Sequence, residues 1–138
     1  MMNKIFFAII LTITNTGLSL DINACLGCHN EDLKLINPTL HGQHKAYIEK
    51  QLKYFKDDKK ENAVMQGLAK TLDKQQMKEL SKLFSEKEWY HSGHETKQEN
   101  IARGKSLMQT GNCARCHGHD LKGNWNIPRL AGQSKSYL

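Results

Sequence analysis

No stretch of this sequence stays apolar for long. The N-terminal run Ile5–Ile13 has nine members, well short of the about 20 residues that cross a bilayer. Apolar and polar residues nowhere alternate with the period of two that marks a strand, which leaves no basis for a sheet. No arginine-rich run occurs, and the lysines are interleaved with Glu and Asp, so a nucleic-acid binder is excluded on charge pattern. No constellation of acids and bases suggests a catalyst. No cysteine lies outside two short motifs, so there is no separate disulfide framework. At 138 residues, with 38% hydrophobic content, the chain holds one ordinary domain or two very small ones. Domains that small bury too little apolar surface to be comfortably stable alone. A large apolar body that is not protein would fit at their centre.

What is present is a motif used twice. Cys25-Leu26-Gly27-Cys28-His29 and Cys113-Ala114-Arg115-Cys116-His117 take up all four cysteines. Cys-x-x-Cys-His is the attachment signature of a c-type heme: the two thiols add to the vinyl groups and the next imidazole ligates the iron. Zinc binding and dithiol redox chemistry use the same Cys-x-x-Cys spacing and stay open as alternatives. Two full copies inside a longer repeat favour two covalently attached hemes.

The longer repeat is Pro-x-Leu-x-Gly-Gln-x-Lys-x-Tyr-apolar. It runs from Pro38 to Ile48 and again from Pro128 to Leu138, an offset of 90 against 88 for the cysteine motifs. The second connecting loop is therefore two residues longer. Two ordered motifs recurring together mark a duplicated unit. Between them, Tyr47, Ile48, Gln51, Leu52 and Phe55 set out an amphipathic helix over about 44–56. Residues 63–68 form a short apolar stretch, expected as a loop. Asp73 and Gln76 make a capping box, with Leu72 and Met77 as its staple, and Met77, Leu80 and Phe84 line one helical face. A third helix is expected over about 98–110, ended by Gly111. The fold class is all-α.

The N-terminus has the layout of a secretory signal: Lys4, the apolar run, then Gly17 and Ser19 at the small-residue positions. This gives residues 1–19 as a signal peptide cleaved after Ser19 and a periplasmic mature chain with no transmembrane segment. Export also suits heme attachment through thiols. The net charge is +6 with a pI of 9.2, and losing Lys4 and adding heme propionates would lower it. A lysine-bearing rim suits docking to an acidic redox partner.

Taken together, Cys-x-x-Cys-His, Pro-x-Leu-x-Gly-Gln-x-x-x-Tyr, the helix after it and a methionine before a last helix resemble the tandem di-heme class I c-type cytochromes of the cytochrome c4 kind. The resemblance implies a class I cytochrome c-like heme domain, duplicated, with the second copy incomplete. Residues 20–88 would be the first heme domain, 89–97 a linker, and 98–138 the N-terminal part of the second. It implies an electron carrier, not an enzyme, with periplasmic or membrane-bound redox proteins as donor and as terminal oxidase or reductase. It further implies heme binding by Cys25, Cys28 and His29, with Met65 as distal ligand, and by Cys113, Cys116 and His117. Methionine–histidine ligation raises the reduction potential. Met77 is assigned to packing by its place in the staple.

Pro38 and Pro128 match a family position whose carbonyl accepts a hydrogen bond from the proximal histidine, though a proline there also simply turns the chain. Leu40 and Leu130 are expected on heme faces, and His41 and His44 on the surface. The position 90 residues beyond Met65 lies past Leu138, so a methionine matching Met65 is not among these 138 residues. This end is expected to reflect a fragment of a longer chain; otherwise Met108, His91, His94 or His119 would substitute, or the iron would stay five-coordinate. The helix at 98–110 is expected to pack on the one at 73–84, filling complementary gaps in the two units. Competing readings are a cytochrome subunit of a larger dehydrogenase, such as a sulfide-oxidising flavocytochrome, and a small-ligand or peroxide-reactive heme protein.

Overall fold

The structure, a computed structural model, describes residues 22–30, 36–89 and 96–138. Among these residues the architecture is six helices and no strand. In chain order they are α1 (Ile22–Leu26), α2 (Lys45–Lys56), α3 (Ala63–Thr71), α4 (Lys74–Ser85), α5 (Gln98–Thr110) and α6 (Cys113–His117). The one bridge, Asn124 to Ile127, closes a tight antiparallel turn in the second long loop. None of these helices is long and apolar enough to cross a membrane.

α4 starts where the capping box places it. The Asp73 carboxylate accepts from the Gln76 backbone N–H at 2.8 Å, and the Gln76 side chain accepts from the Asp73 N–H at 2.9 Å. Two otherwise orphaned donors are thereby satisfied. Met77, Leu80 and Phe84, at i, i+3 and i+7, are all buried. They meet α2, whose Ile48 and Phe55 are buried seven residues apart. Burying side chains of this size contributes about 1.5–3 kcal/mol each. Ser81 sits among them without cost, because its hydroxyl donates back to the Met77 carbonyl.

Residues 63–71 are a helix, where the sequence suggested a loop. Asn62 caps it, its side chain accepting from the Met65 N–H at 2.9 Å. α3 packs on α2 and buries Ala69, yet Val64 and Leu68 remain exposed. α5 covers 98–110 as expected, but it packs on α6 and not in the α2–α4 core, and none of its residues is buried. The expected packing of α5 on α4 is therefore replaced: α2 already occupies the buried face of α4. Gly111 does end α5, but with an ordinary φ of −82°; the left-handed residue is Asn112 at φ 55°.

Candidate heme-binding sites and their junction

Each cysteine motif folds as a helical turn. In the first, the Cys28 and His29 N–H groups both donate to the Cys25 carbonyl, at 3.2 and 2.9 Å. In the second, the whole of Cys113–His117 is α6. Positions i, i+3 and i+4 share one side of a helix, so each turn sets its two cysteines and its histidine along one side. None of the four cysteines is in a disulfide.

The histidines are held alike. His29 Nδ1 lies 2.9 Å from the Pro38 carbonyl oxygen, and His117 Nδ1 lies 2.9 Å from that of Pro128. A carbonyl has no proton to give, so Nδ1–H is the donor and Nε2 carries the lone pair. An imidazole ligates iron through such an Nε2, with its other nitrogen anchored in this way. Burial pushes His29 below its ordinary value, and the bond to Pro38 offsets part of that. The neutral ring is thus the favoured form. Both prolines therefore do more than turn the chain.

The surroundings suit a large apolar group. α3 is mostly apolar but leaves Val64 and Leu68 uncovered beside the half-buried Met65. In the second unit Leu107 and Trp125 are exposed. Met65 is placed by the first turn of α3, so its backbone is fixed by Asn62. Met77 is core, 7% exposed. Met108 and His119 line an open cleft of about 530 Å³ together with Lys105, Ala114 and Arg115. Ala114 and Arg115 are off the side of α6 that carries Cys113, Cys116 and His117, so neither substitute is brought to His117 by this cleft. His91 and His94 lie outside the described residues. No three His, Cys, Asp or Glu side chains among the described residues gather as a metal cage would require.

The two copies of the Gly-Gln repeat meet each other. The Gln43 side chain accepts from the Arg129 N–H at 2.9 Å and donates to the Arg129 carbonyl at 3.0 Å. The Gln133 side chain accepts from the Thr39 N–H at 3.0 Å and donates to the Thr39 carbonyl at 3.1 Å. Thr39 and Arg129 are equivalent positions, as are Gln43 and Gln133. The contact is therefore a two-fold exchange within one chain, the self-complementary form that symmetric dimers use. Tyr47 and Tyr137, another equivalent pair, are hydrogen-bonded across it, and Tyr47 is pushed up to about 12 by burial and by that neighbour. His44 Nε2 meets the Lys122 carbonyl at 2.8 Å.

The junction is dry. Thr39, Gln43 and Ser134 are each at most 2% exposed. Trp89 is buried there, with the Arg129 guanidinium 4.7 Å from its ring centre, and packs against Gly42, where a Cβ would come 2.9 Å from that of Trp89. His41 is buried against Phe84 and His44 is half-buried, so neither is the surface residue expected. Among the described residues, Trp89 Nε1 and Arg129 Nε are buried without a hydrogen-bond partner. Two such donors side by side suit an anionic group such as a heme carboxylate.

Comparison with known proteins agrees with this geometry. The family model described as Cytochrome c matches residues 18–88 and 101–138. Cytochrome c-552 of Acidithiobacillus ferridurans is 33% identical over 129 residues, 83% of this chain and 56% of that protein. The thiosulfate dehydrogenase electron acceptor of Thiomonas intermedia is 32% identical over 130 residues, covering 83% and 59%. The chain thus spans less than two thirds of the length of either relative. Among solved structures, cytochrome c4 of Acidithiobacillus ferrooxidans superposes with a TM-score of 0.71 at 31% identity, over 85% of this chain and 77% of that one.

Proposed function

Because the chain belongs to the cytochrome c family, we propose that it is a two-heme cytochrome of the cytochrome c4 kind that relays single electrons between redox proteins. The observation that carries this is the duplicated histidine anchor. Two Cys-x-x-Cys-His turns each present an imidazole whose Nδ1–H is held by a proline carbonyl. Bound there, heme c would cycle between ferric and ferrous iron. Cys25 and Cys28 would attach one heme, with His29 and Met65 as the side chains that hold its iron. Cys113 and Cys116 would attach the other, with His117 holding its iron. Units at 20–88 and 98–138, joined through 89–97, would each hold one heme.

The chain's own residues then have three tasks. The helical turns orient the thiols, the proline carbonyls fix the imidazoles, and the apolar surfaces at Val64 and Leu68 keep water from the first heme. Export by residues 1–19, with cleavage after Ser19, would put the protein in the periplasm, where heme attachment occurs. A partner of the thiosulfate-oxidising type fits the Thiomonas relative's name. Co-purification of a flavoprotein or dehydrogenase chain would favour a complex subunit over a free carrier.

The test is to export the chain from a host with heme-attachment machinery and measure intact mass and spectra. Two heme masses are expected, together with the weak near-red band of methionine-ligated ferric heme. Met65→Ala should remove that band and leave both hemes attached. A chain that carries no covalent heme would overturn the proposal.

A further inference from the structure

Each glutamine of the junction bonds to the peptide whose carbonyl anchors a histidine. The peptide unit between Pro38 and Thr39 has its carbonyl bonded by His29 Nδ1–H at 2.9 Å, and its N–H bonded to Gln133 Oε1 at 3.0 Å. The unit between Pro128 and Arg129 has its carbonyl bonded by His117 Nδ1–H at 2.9 Å, and its N–H bonded to Gln43 Oε1 at 2.9 Å. One amide thus sits between each histidine and a glutamine from the other repeat.

From this we infer that Gln133 sets the basicity of His29, and Gln43 that of His117, each acting through the shared peptide across the junction. The inference rests on the histidines being heme ligands, as proposed above. An amide whose N–H donates to an acceptor carries more negative charge on its oxygen, since chained hydrogen bonds polarise one another. The carbonyl then draws harder on Nδ1–H, and the imidazole becomes a stronger donor through Nε2. A stronger nitrogen donor stabilises ferric over ferrous iron, and hydrogen bonding around the axial ligand is a recognised control on heme potential. The two glutamines are therefore positioning residues with crossed targets: each repeat tunes the iron of the other. Burial of Thr39, Gln43 and Gln133's neighbour Ser134 keeps water from substituting for the amide.

The experiment uses the holoprotein, with each midpoint potential assigned to its half from heme-methyl resonances. Gln133→Leu should raise the potential of the first heme and leave the second unmoved; Gln43→Leu should do the reverse. Polarisation by roughly a tenth to a third of a hydrogen bond corresponds to about a threefold change in the ferric/ferrous ratio, or about 28 mV for a one-electron couple at 59 mV per tenfold. Gln133→Glu, which keeps an acceptor facing Thr39 N–H, should return the first heme to its original potential or below.

His44→Ala loosens the same junction through Lys122 without touching either peptide. It should leave the difference between the two potentials unchanged. If Gln133→Leu shifts both hemes together, or if His44→Ala reproduces its effect, the glutamines only hold the halves and the inference is wrong. The His29 Nδ1–H resonance gives a reading that does not depend on iron. It should move upfield in Gln133→Leu even if the chain proves to carry no heme, in which case the functional proposal falls and the hydrogen-bond relay stands. No movement would overturn the relay.

Discussion

Replacing Gly123 by alanine should damage the proposed heme site at His117 through the backbone alone. Gly123 has φ +65°, and its N–H donates to the His117 carbonyl at 2.8 Å. A Cβ added there would stand 2.3 Å from the Ile127 carbonyl oxygen and 2.5 Å from that of Pro128. Both neighbours are main chain, so no flexible side chain can swing aside. Restoring ordinary contact requires the Pro128 carbonyl to retreat by about 1 Å in a region that is already close-packed.

That carbonyl is the one holding His117 Nδ1–H at 2.9 Å, and such a retreat breaks the bond. The left-handed backbone, the overpacking and the lost hydrogen bond together cost roughly 3–5 kcal/mol. Gly104→Ala is the matched control, because Gly104 lies inside α5 with nothing within 4 Å of its Cβ position. It should stabilise by about 0.5–1 kcal/mol through helix propensity. Both variants would be unfolded with denaturant as holoproteins, with spectra taken for each heme. Gly123→Ala should lower the midpoint sharply, perturb the heme proposed at His117 and spare the one proposed at His29. A loss of about 1 kcal/mol or less, with the His117 Nδ1–H resonance unmoved, would refute the argument that this loop holds the histidine in place.

Other expected outcomes follow from single features. Asp73→Ala removes the capping box of α4 and should cost about 1–2 kcal/mol in urea unfolding, with Gln76→Ala costing less. Tyr47 should ionise near pH 12 in an ultraviolet titration, against an ordinary value of 10.0. Its folded value is raised, so its contribution is complete below about pH 10 and is lost as pH rises toward 12. Because Tyr47 is only half-buried, that contribution is of the order of 1 kcal/mol, and Tyr47→Phe should remove that part of the pH dependence. Lys82→Ala breaks a 3.7 Å pair with Glu86 in which both side chains are more than half exposed, and should change stability by less than about 0.5 kcal/mol.

The sequence by itself determined whatever depends on neighbours within about one helical turn. The capping box at Asp73 and Gln76, the buried stripe Met77–Leu80–Phe84 and the span of α5 were all legible, because caps and helical period act between residues three or four apart. The anchoring of His29 and His117 by Pro38 and Pro128 was half-legible. The family resemblance named the contact, but a proline has a local reason to be there as well. Gly67 and a short apolar run point to a loop over 63–68, and the helix there depends on the Asn62 side chain accepting from the Met65 N–H.

The junction, in contrast, is set by long-range packing. Gln43 and Arg129 are 86 residues apart, Thr39 and Gln133 94 apart, and His44 and Lys122 78 apart. The repeat announced that Gln43 and Gln133 are equivalent, but not that each would clasp the other copy's backbone. Nor did it show that Trp89 would be buried against Arg129 where the copies meet, or His41 against Phe84. A glutamine amide can pair with any exposed peptide or with water at similar net gain, so its partner is chosen only when packing excludes water and brings one particular backbone within reach.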